Sequence, residues 1–343
     1  MSLGKPRIVI YGVGQFGTYI TRMIVERGWP IVAAFNRAGS GKVGVDLGQL
    51  TGLGRELGVV VQDSDTASYQ NLDADLAIVT TTDRLAENLP AYRRLMGAGL
   101  KVLCHGAESN FPWGNDAALA MEIDRLAKEN NVTFTGSGVW DTYRIWTGIL
   151  ATGPCTEIRS IFHESFSDAS CTGKELMLAV GVGMTPGQYQ EECVRKQGLI
   201  GGYYKTVPHH VLTAMGLTVT ETSEHREPVL FDTPVYCEHL GMELQPGTVV
   251  GTRIVAKANS REGVSVLMHH EGRLARHGET EYMFWQIDGK PSVKLTMHRD
   301  MADTVHLSSA SIVKRIRDVI AAPSGIRPVS QLGPLRYASG ART

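Results

Sequence analysis

A glycine-rich turn between a short apolar run and an amphipathic segment most constrains the fold of this chain. Residues 7–11 read RIVIY, a β-rich run, and residues 18–27 keep apolar side chains at helical spacing. Between them stands Gly12-Val13-Gly14-Gln15-Phe16-Gly17. A G-x-G-x-x-G turn from strand to helix lets the backbone approach a pyrophosphate at the helix N-terminus. The pattern predicts a dinucleotide-binding fold with Gly12, Gly14, Gln15, Phe16 and Gly17 against the cofactor, and a plain strand-to-helix turn is the alternative.

The end of the second apolar run bears on which dinucleotide is bound. Residues 31–35 lead into Asn36 and Arg37, where a domain specific for NAD usually carries an acidic residue for the ribose hydroxyls. Asn36 can bond a hydroxyl, whereas Arg37, with Ser40, can grip a 2′-phosphate through its planar guanidinium. The sequence therefore favours NADP(H). NAD stays open, because Arg37 can equally be a solvated loop residue.

Strand and helix patterns alternate as far as residue 135, which indicates an α/β fold with a doubly wound, mostly parallel sheet. One strand ends in Thr80, Thr81 and Thr82, and such sheets bind ligands at the carboxyl ends of their strands. We therefore expect these hydroxyls to line the nicotinamide-ribose part of the site. The alternative is that they cap the helix that follows.

The next predicted strand ends in the loop 104–110, CHGAESN, where we expect the chemistry. A carboxylate at this edge can exchange protons with a substrate, so Glu108 is the predicted catalytic acid/base. His105 is the rival for that role, because free histidine titrates near neutral pH, and it is otherwise expected beside the cofactor. Capping of the following helix is the structural alternative for the loop.

The alternation of short strands and helices ends after residue 137. This change predicts a Rossmann-like domain at 1–137 and a substrate and dimerisation domain at 138–303. The second domain carries long β-rich stretches that predict an α+β fold with an open, mostly antiparallel sheet. Helical insertions are predicted at 173–182 and 186–197. Residues 304–343 begin with a helix that we expect to pack back on the first domain. An open sheet needs cover, so we predict a homodimer in which two such sheets pair.

Composition excludes several other classes. Lys and Arg number 34 against 35 Asp and Glu, a net charge of −1, so no nucleic-acid partner is expected. No apolar run approaches the roughly 18 residues that span a bilayer, which predicts a cytoplasmic protein without membrane contact. The 11 histidines lack the spacing of metal ligands, so no metal is predicted.

Four segments together resemble the 2,4-diaminopentanoate dehydrogenase family, and its native amine dehydrogenases most closely. They are the glycine fingerprint, the run Val43 to Gly48, the Glu108 loop and the closing run Arg317 to Ile326. That family is similar in its cofactor domain to dihydrodipicolinate reductase. However, His269-His270 is followed here by Glu271 instead of the reductase pattern with lysine, so the reductase activity itself is not expected.

The resemblance implies reversible reductive amination. A small aliphatic or cyclic ketone or aldehyde would react with ammonia and NAD(P)H, with Glu108 matching the family's loop glutamate. A simple carbonyl compound offers little to polar side chains, so an apolar and aromatic pocket is expected. Its candidate residues are Trp140, Trp146, Phe166 and Tyr204, with Thr304 as a small polar neighbour.

Two alternatives remain open. A 2,4-diaminopentanoate, amino-acid-type dehydrogenase would need a cation for the substrate carboxylate. Arg144, Lys174, Arg195 and Lys205 are the candidates, although each can also face water. A non-catalytic NADP-binding sensor would keep the glycine turn and lose the proton-handling residue, whereas Glu108 is present here.

Overall fold

A computed structural model describes residues 4–171, 174–195, 202–299 and 303–337. The chain divides into two compact units: a first unit of residues 1–142 with 305–343, and a second unit of residues 143–304. The predicted domain boundaries at 137/138 and 303/304 lie close to these divisions. Of the predicted helical insertions, residues 173, 196 and 197 lie outside the described part of the chain.

The first unit opens with alternating strands and helices. In chain order they are β1 (Ile8–Tyr11), α1 (Gln15–Glu26), β2 (Ile31–Asn36), α2 (Leu47–Leu50), β3 (Val61–Asp63), β4 (Leu76–Val79), α3 (Leu85–Gly97), β5 (Lys101–Cys104), α4 (Pro112–Asn115), α5 (Ala117–Glu129) and β6 (Thr133–Gly136). Strands β1 and β4 are buried at every position, as expected of a parallel sheet covered on both faces.

The second unit is built mainly from long strands. A π-helical turn at Asp141–Trp146 leads from the first unit into α6 (Thr147–Thr152). Then follow β7 (Glu157–Asp168), α7 (Lys174–Ala179), α8 (Pro186–Tyr189), α9 (Thr206–Ala214), β8 (Val219–Leu230), β9 (Val235–Cys237), β10 (Met242–Leu244), β11 (Val249–Ser260), β12 (Ser265–Arg273), β13 (Glu281–Lys290) and β14 (Val293–Arg299).

The C-terminal segment completes the first unit with α10 (Thr304–Ala321) and β15 (Gly325–Ile326). The finished sheet has the order β15-β6-β5-β4-β1-β2-β3, and all its neighbouring strands are parallel. Ile8 and Ile10 pack with Ile312 and Ile316 of α10 on one face of this sheet. Alternate residues such as Val9 face the other side, where α3 and α5 pack.

The second unit carries a six-stranded sheet of order β14-β13-β7-β12-β11-β8. Its pairs are antiparallel except β7 with β12, which are parallel and align Ser165 with His270. Helices α6 and α9 contact the sheet. A Cβ at Gly148 of α6 would lie 2.7 Å from the Trp285 ring, so glycine permits this close approach. The α/β class, with a parallel Rossmann-like sheet and a mostly antiparallel second sheet, is confirmed.

No described helix combines the length and the hydropathy needed to cross a membrane.

Candidate active site

The glycine turn of the first unit has the backbone geometry that a pyrophosphate site requires. Gly12 has a φ of +101°, a conformation that favours glycine. A Cβ at Gly17 would lie 2.2 Å from the Gly12 carbonyl oxygen, so α1 approaches the end of β1 closely only because residue 17 is glycine. A Cβ at Gly14 would meet no atom within 4 Å, so its backbone is open to a ligand. These residues fit a dinucleotide at the start of α1.

A cleft of about 610 Å³ opens beside this turn within the first unit. Gly12, Gly14 and the threonines after β4 line one part of it. Asn36, Arg37, Ser40 and Lys42 line another part, and side chains of α3 extend to Arg94. The volume suits an elongated nucleotide.

The segment after β2 is pre-organised by short-range hydrogen bonds. The Asn36 amide donates to Ser40 Oγ at 3.0 Å, and the Asn36 side-chain oxygen accepts from the Arg37 backbone N–H at 3.1 Å. The Lys42 ammonium donates to the Val13 carbonyl oxygen inside the glycine turn. Arg37 is exposed. Two cations, Arg37 and Lys42, therefore line this part of the cleft.

The three threonines after β4 line the cleft and make hydrogen bonds to neighbouring loops. Thr80 Oγ1 donates to the Gly12 carbonyl oxygen at 2.6 Å and thus holds the turn against β4. Thr81 contacts Asn88, and Thr82 Oγ1 donates to Glu87 at 2.6 Å while it accepts from the Arg84 N–H at 3.3 Å. The last of these contacts joins Thr82 to Arg84, the residue just before α3.

Glu108 lies in a 3-10 turn that follows β5, and it is 8% exposed. One carboxylate oxygen accepts from the Arg84 guanidinium at 2.8 Å, and the other accepts from the Leu85 backbone N–H at 2.8 Å. The side chain is therefore not in bulk solvent but fixed at the N-terminus of α3. Both contacts stabilise an anion, since one comes from a cation and the other from the positive end of a helix dipole.

His105 immediately follows β5, and its ring packs against Phe16 with centroids 3.8 Å apart. Burial lowers the pKa of His105 to about 4, against an opposing effect of the Asp83 carboxylate. A histidine with that pKa is neutral near pH 7 and holds no proton to give away as an acid.

A polar layer lies buried in the second unit, and Arg144 is its cation. Arg144 is 3% exposed, its Nη2 lies 3.1 Å from His270 Nδ1, and its guanidinium carbon lies 5.0 Å from the Tyr204 ring centroid. Ser165 also contacts His270 Nδ1 at 3.0 Å. Burial, reinforced by the charge of Arg144, lowers the pKa of His163 to about 3 and that of His270 well below its usual value.

The other candidate cations of the second unit differ from Arg144. Lys174 is exposed, Lys205 is partly exposed, and the Arg195 side chain is 78% exposed and paired with Glu191. Facing water was the alternative for all four cations. Arg144 is buried, so that alternative does not hold for it.

The predicted pocket residues are distributed over both units. Trp140 belongs to the first unit, whereas Trp146, Phe166, Tyr204 and Thr304 belong to the second. Tyr204 stacks on His270 with centroids 5.1 Å apart and thus joins the polar layer. Phe166 follows Ser165 along β7 and so points from the other face of the strand. Its ring lies 4.0 Å from the Arg273 guanidinium carbon.

Several residues around the site were not predicted from the sequence. Arg84 carried no signal beyond its place before α3, and the contact of Ser308 with His105 spans 203 positions. Among the described residues, no group of three or more His, Cys, Asp and Glu is placed to hold a metal ion.

Comparisons with known proteins agree with this geometry. A model of the 2,4-diaminopentanoate dehydrogenase C-terminal domain matches residues 147–340, and one of the dihydrodipicolinate reductase N-terminus matches residues 6–96. The structure of the amine dehydrogenase from Mycobacterium smegmatis superposes with a TM-score of 0.83 at 31% identity, over 97% of each chain.

More distant relatives agree as well. The 2,4-diaminopentanoate dehydrogenase of Acetoanaerobium sticklandii is 23% identical over 215 residues, which span 58% of this chain and 56% of that protein. The myo-inositol 2-dehydrogenase of Lactobacillus plantarum shares the fold, with a TM-score of 0.56 at 17% identity over 92% of this chain and 88% of that one. The resemblance found in the sequence is confirmed. Because a family model covers more than half of its length, the chain belongs to the 2,4-diaminopentanoate dehydrogenase family.

Proposed function

We propose that this chain is an NAD(P)-dependent oxidoreductase acting on amines, and that it catalyses reversible reductive amination of small ketones or aldehydes with ammonia. The family membership, the open glycine turn and the adjoining cleft support the dehydrogenase class. When bound, the nicotinamide would supply or accept the hydride. The proton steps are left to the protein.

The position of Glu108 is the observation that carries this proposal. An ammonium ion must lose a proton before its nitrogen can attack a carbonyl carbon, and an anionic carboxylate can both attract the cation and take that proton. Glu108 stands after β5, at the ligand-binding edge of the cofactor sheet, and is nearly excluded from solvent. The Arg84 and Leu85 contacts hold its two oxygens in a fixed orientation. A sensor without turnover would need this group only as a helix cap.

Oxidation of NADPH by a small cyclic ketone, with and without ammonium, tests the proposal. We expect oxidation only when ammonium is present, and turnover without it would instead indicate a carbonyl reductase. Glu108→Gln keeps the shape of the side chain but removes its charge, so turnover should fall about 10²- to 10⁴-fold while NADPH binding is retained.

Glu122→Gln is the matched control for that variant. Glu122 also pairs with an arginine, Arg93, but on the surface of the first unit. Its replacement should leave turnover unchanged. If Glu108→Gln turned over as fast as Glu122→Gln, the carboxylate would be a helix cap and not a proton carrier.

NADP(H) is the proposed preferred cofactor. The support comes from Arg37, the Asn36–Ser40 hydrogen bond and Lys42 at the edge of the cleft, together with the absence of a carboxylate at position 36. The guanidinium would pair with the 2′-phosphate, which NAD lacks.

A substrate with a carboxylate is the second candidate, and buried Arg144 favours it. A guanidinium excluded from solvent and steadied by His270 and the Tyr204 ring is suited to a bidentate pair with a carboxylate. A simple ketone has no group that uses it. Comparing a 2-amino or 2-oxo acid with an uncharged analogue of the same length decides between the two candidates, because only the acid would depend on Arg144.

We also propose a homodimer formed through the second unit's sheet. Its helices pack on the face of Trp285, and by strand alternation Phe162, Leu267 and Phe284 lie on the opposite face. These three side chains are only partly buried, and the Phe162 and Phe284 rings lie 6.3 Å apart. A partly exposed aromatic patch on a sheet suits pairing with the same patch of a second copy.

A further inference from the structure

The C-terminal helix reaches the ligand-binding edge of the cofactor sheet through Ser308. This side chain of α10 is 3% exposed, and its Oγ lies 2.8 Å from Nε2 of His105. A second contact comes from the Val139 backbone N–H, which donates to the same Oγ at 3.1 Å. A Cβ at Gly138 would lie 2.8 Å from that oxygen, so glycine at 138 leaves room for the arrangement. Ser308 thus connects three segments of the first unit.

The hydrogen bonds around Ser308 suit one tautomer of a neutral imidazole. The serine oxygen accepts the Val139 N–H with one lone pair, and its own hydrogen can point to the lone pair of His105 Nε2. A neutral imidazole that accepts at Nε2 carries its proton on Nδ1. Among the described residues, the only hydrogen bond of the His105 ring is the one at Nε2, and the residue is half-buried. The low pKa of His105 agrees with a neutral ring.

The topology of the sheet indicates what an Nδ1–H donor at this place would meet. The strand order reverses between β1 and β4, and a dinucleotide straddles such a switch point. Asn36 and Arg37 follow β2, on the side proposed for the adenosine half. His105 follows β5, on the other side, and its ring packs on Phe16 of the glycine turn. His105 therefore stands on the nicotinamide side.

We propose that Ser308 is a positioning residue that holds His105 as a neutral Nδ1–H donor for an oxygen of the nicotinamide nucleoside. Ser308 acts through His105 and does not itself touch the cofactor. The role rests on the proposed dinucleotide binding, and it extends that proposal to the C-terminal helix.

Ligands that carry or lack the nicotinamide end provide the test. We would measure the dissociation constants of NADPH, NADH, 2′,5′-ADP and ADP for the unmodified chain and for Ser308→Ala, by calorimetry. The variant should bind both dinucleotides about three- to tenfold more weakly, as one hydrogen bond predicts, and bind the two adenine fragments unchanged. Ser308→Thr keeps the hydroxyl and should restore dinucleotide binding.

Ser309→Ala is the control variant. Ser309 is the next residue of α10, is fully buried, and its hydroxyl has no hydrogen-bond partner within the described structure. The Ser309→Ala variant should bind all four ligands with the dissociation constants of the unmodified chain. An equal weakening of dinucleotides and adenine fragments by Ser308→Ala, or no weakening at all, would overturn the positioning role.

Two variants of His105 test the donor directly. His105→Asn retains an N–H near the position of Nδ1, whereas His105→Gln reaches toward Ser308 and lacks that donor. We expect His105→Asn to bind NADPH more tightly than His105→Gln. Adding Ser308→Ala to His105→Gln should weaken NADPH binding no further. In the ligand-free unmodified chain, the ¹⁵N chemical shifts of the His105 ring should show the Nδ1–H form. In Ser308→Ala they should show a mixture of the Nδ1–H and Nε2–H forms.

The outcomes separate this inference from the proposed function. If the unmodified chain bound none of the four ligands, the proposed function would fail and the role of Ser308 with it. If ammonium-dependent oxidation of NADPH occurred while Ser308→Ala bound dinucleotides normally, only the inference would fail. An Nε2–H signal for His105 in the unmodified chain would also overturn it.

Discussion

The buried ion pair of Arg315 and Asp141 gives the most quantitative prediction for this chain. Both side chains are fully excluded from solvent, and the guanidinium contacts the two carboxylate oxygens at 2.6 and 2.7 Å. Ser137 donates a further hydrogen bond to the carboxylate at 2.8 Å. Arg315 also contacts Asp318 at 2.9 Å, but that carboxylate is 42% exposed. One arginine thus has one buried and one solvated partner.

Arg315→Met removes the cation and leaves Asp141 as a buried carboxylate whose one remaining side-chain partner among the described residues is the Ser137 hydroxyl. Breaking a buried pair from one side costs about 3–5 kcal/mol, because the remaining charge has lost its compensation. Asp318→Asn removes a partner that water can replace, so it should cost about 1 kcal/mol or less. Replacing both members of the buried pair, as in Asp141→Leu with Arg315→Met, should cost less than the two single changes together.

Urea unfolding followed by tryptophan fluorescence measures these differences as shifts of the midpoint at constant slope. A cost of 3–5 kcal/mol corresponds to roughly two to three and a half orders of magnitude in the unfolding equilibrium. The reasoning would be refuted if Arg315→Met were no more destabilising than Asp318→Asn. It would equally be refuted if the double variant lost the full sum of the single losses.

Further predictions concern the cofactor, pH, the substrate and assembly. Arg37→Ala should raise the dissociation constant of NADPH about ten- to hundredfold and leave that of NADH nearly unchanged; equal effects in binding titrations would remove the 2′-phosphate role. His163 has a folded pKa of about 3, below its usual 6.5, so the unfolded chain takes up its proton first and stability is lost as pH falls from 6.5 toward 3. This contributes up to about 1.4 kcal/mol per pH unit, and denaturation at several pH values should give a shallower slope for His163→Gln than for the unmodified chain. Arg144→Met should impair turnover of a carboxylate-bearing substrate and spare an uncharged one, while Arg159→Met, on the surface, should affect neither; kinetics that fall equally for both substrates would place Arg144 in a structural role. Phe284→Lys should convert dimers to monomers in analytical ultracentrifugation, and an unchanged mass would exclude that face from the interface.

The features that could be predicted from sequence are those encoded within a few residues. The glycine turn is one, because a positive φ at Gly12 and a close approach at Gly17 both leave their mark in the residue type. Asn36 and Ser40 were named together from their proximity in sequence, and one hydrogen bond joins them in the structure, while their role toward a cofactor stays a prediction. In each case the chain neighbours are also the spatial neighbours.

The remaining features depend on residues that are distant in sequence. Glu108 could be singled out by its place after a strand, but its partner Arg84 stands 24 residues earlier and meets it only because β4 and β5 are adjacent. The Arg315–Asp141 pair spans 174 residues. The burial of Arg144 likewise depends on the packing of its segment in the second unit, which no short motif specifies. Charged residues in such places look like ordinary surface residues until the fold brings their partners together.

Because α10 and β15 complete the first unit, the order of synthesis matters for this chain. The ribosome makes residues 143–304 between the two parts of that unit, which at 5–20 residues per second takes on the order of ten to thirty seconds. During that interval, Ile8 and Ile10 lack the helix that later covers them. The nascent first unit thus exposes apolar surface until α10 is made, and a premature stop before residue 305 would leave that surface uncovered.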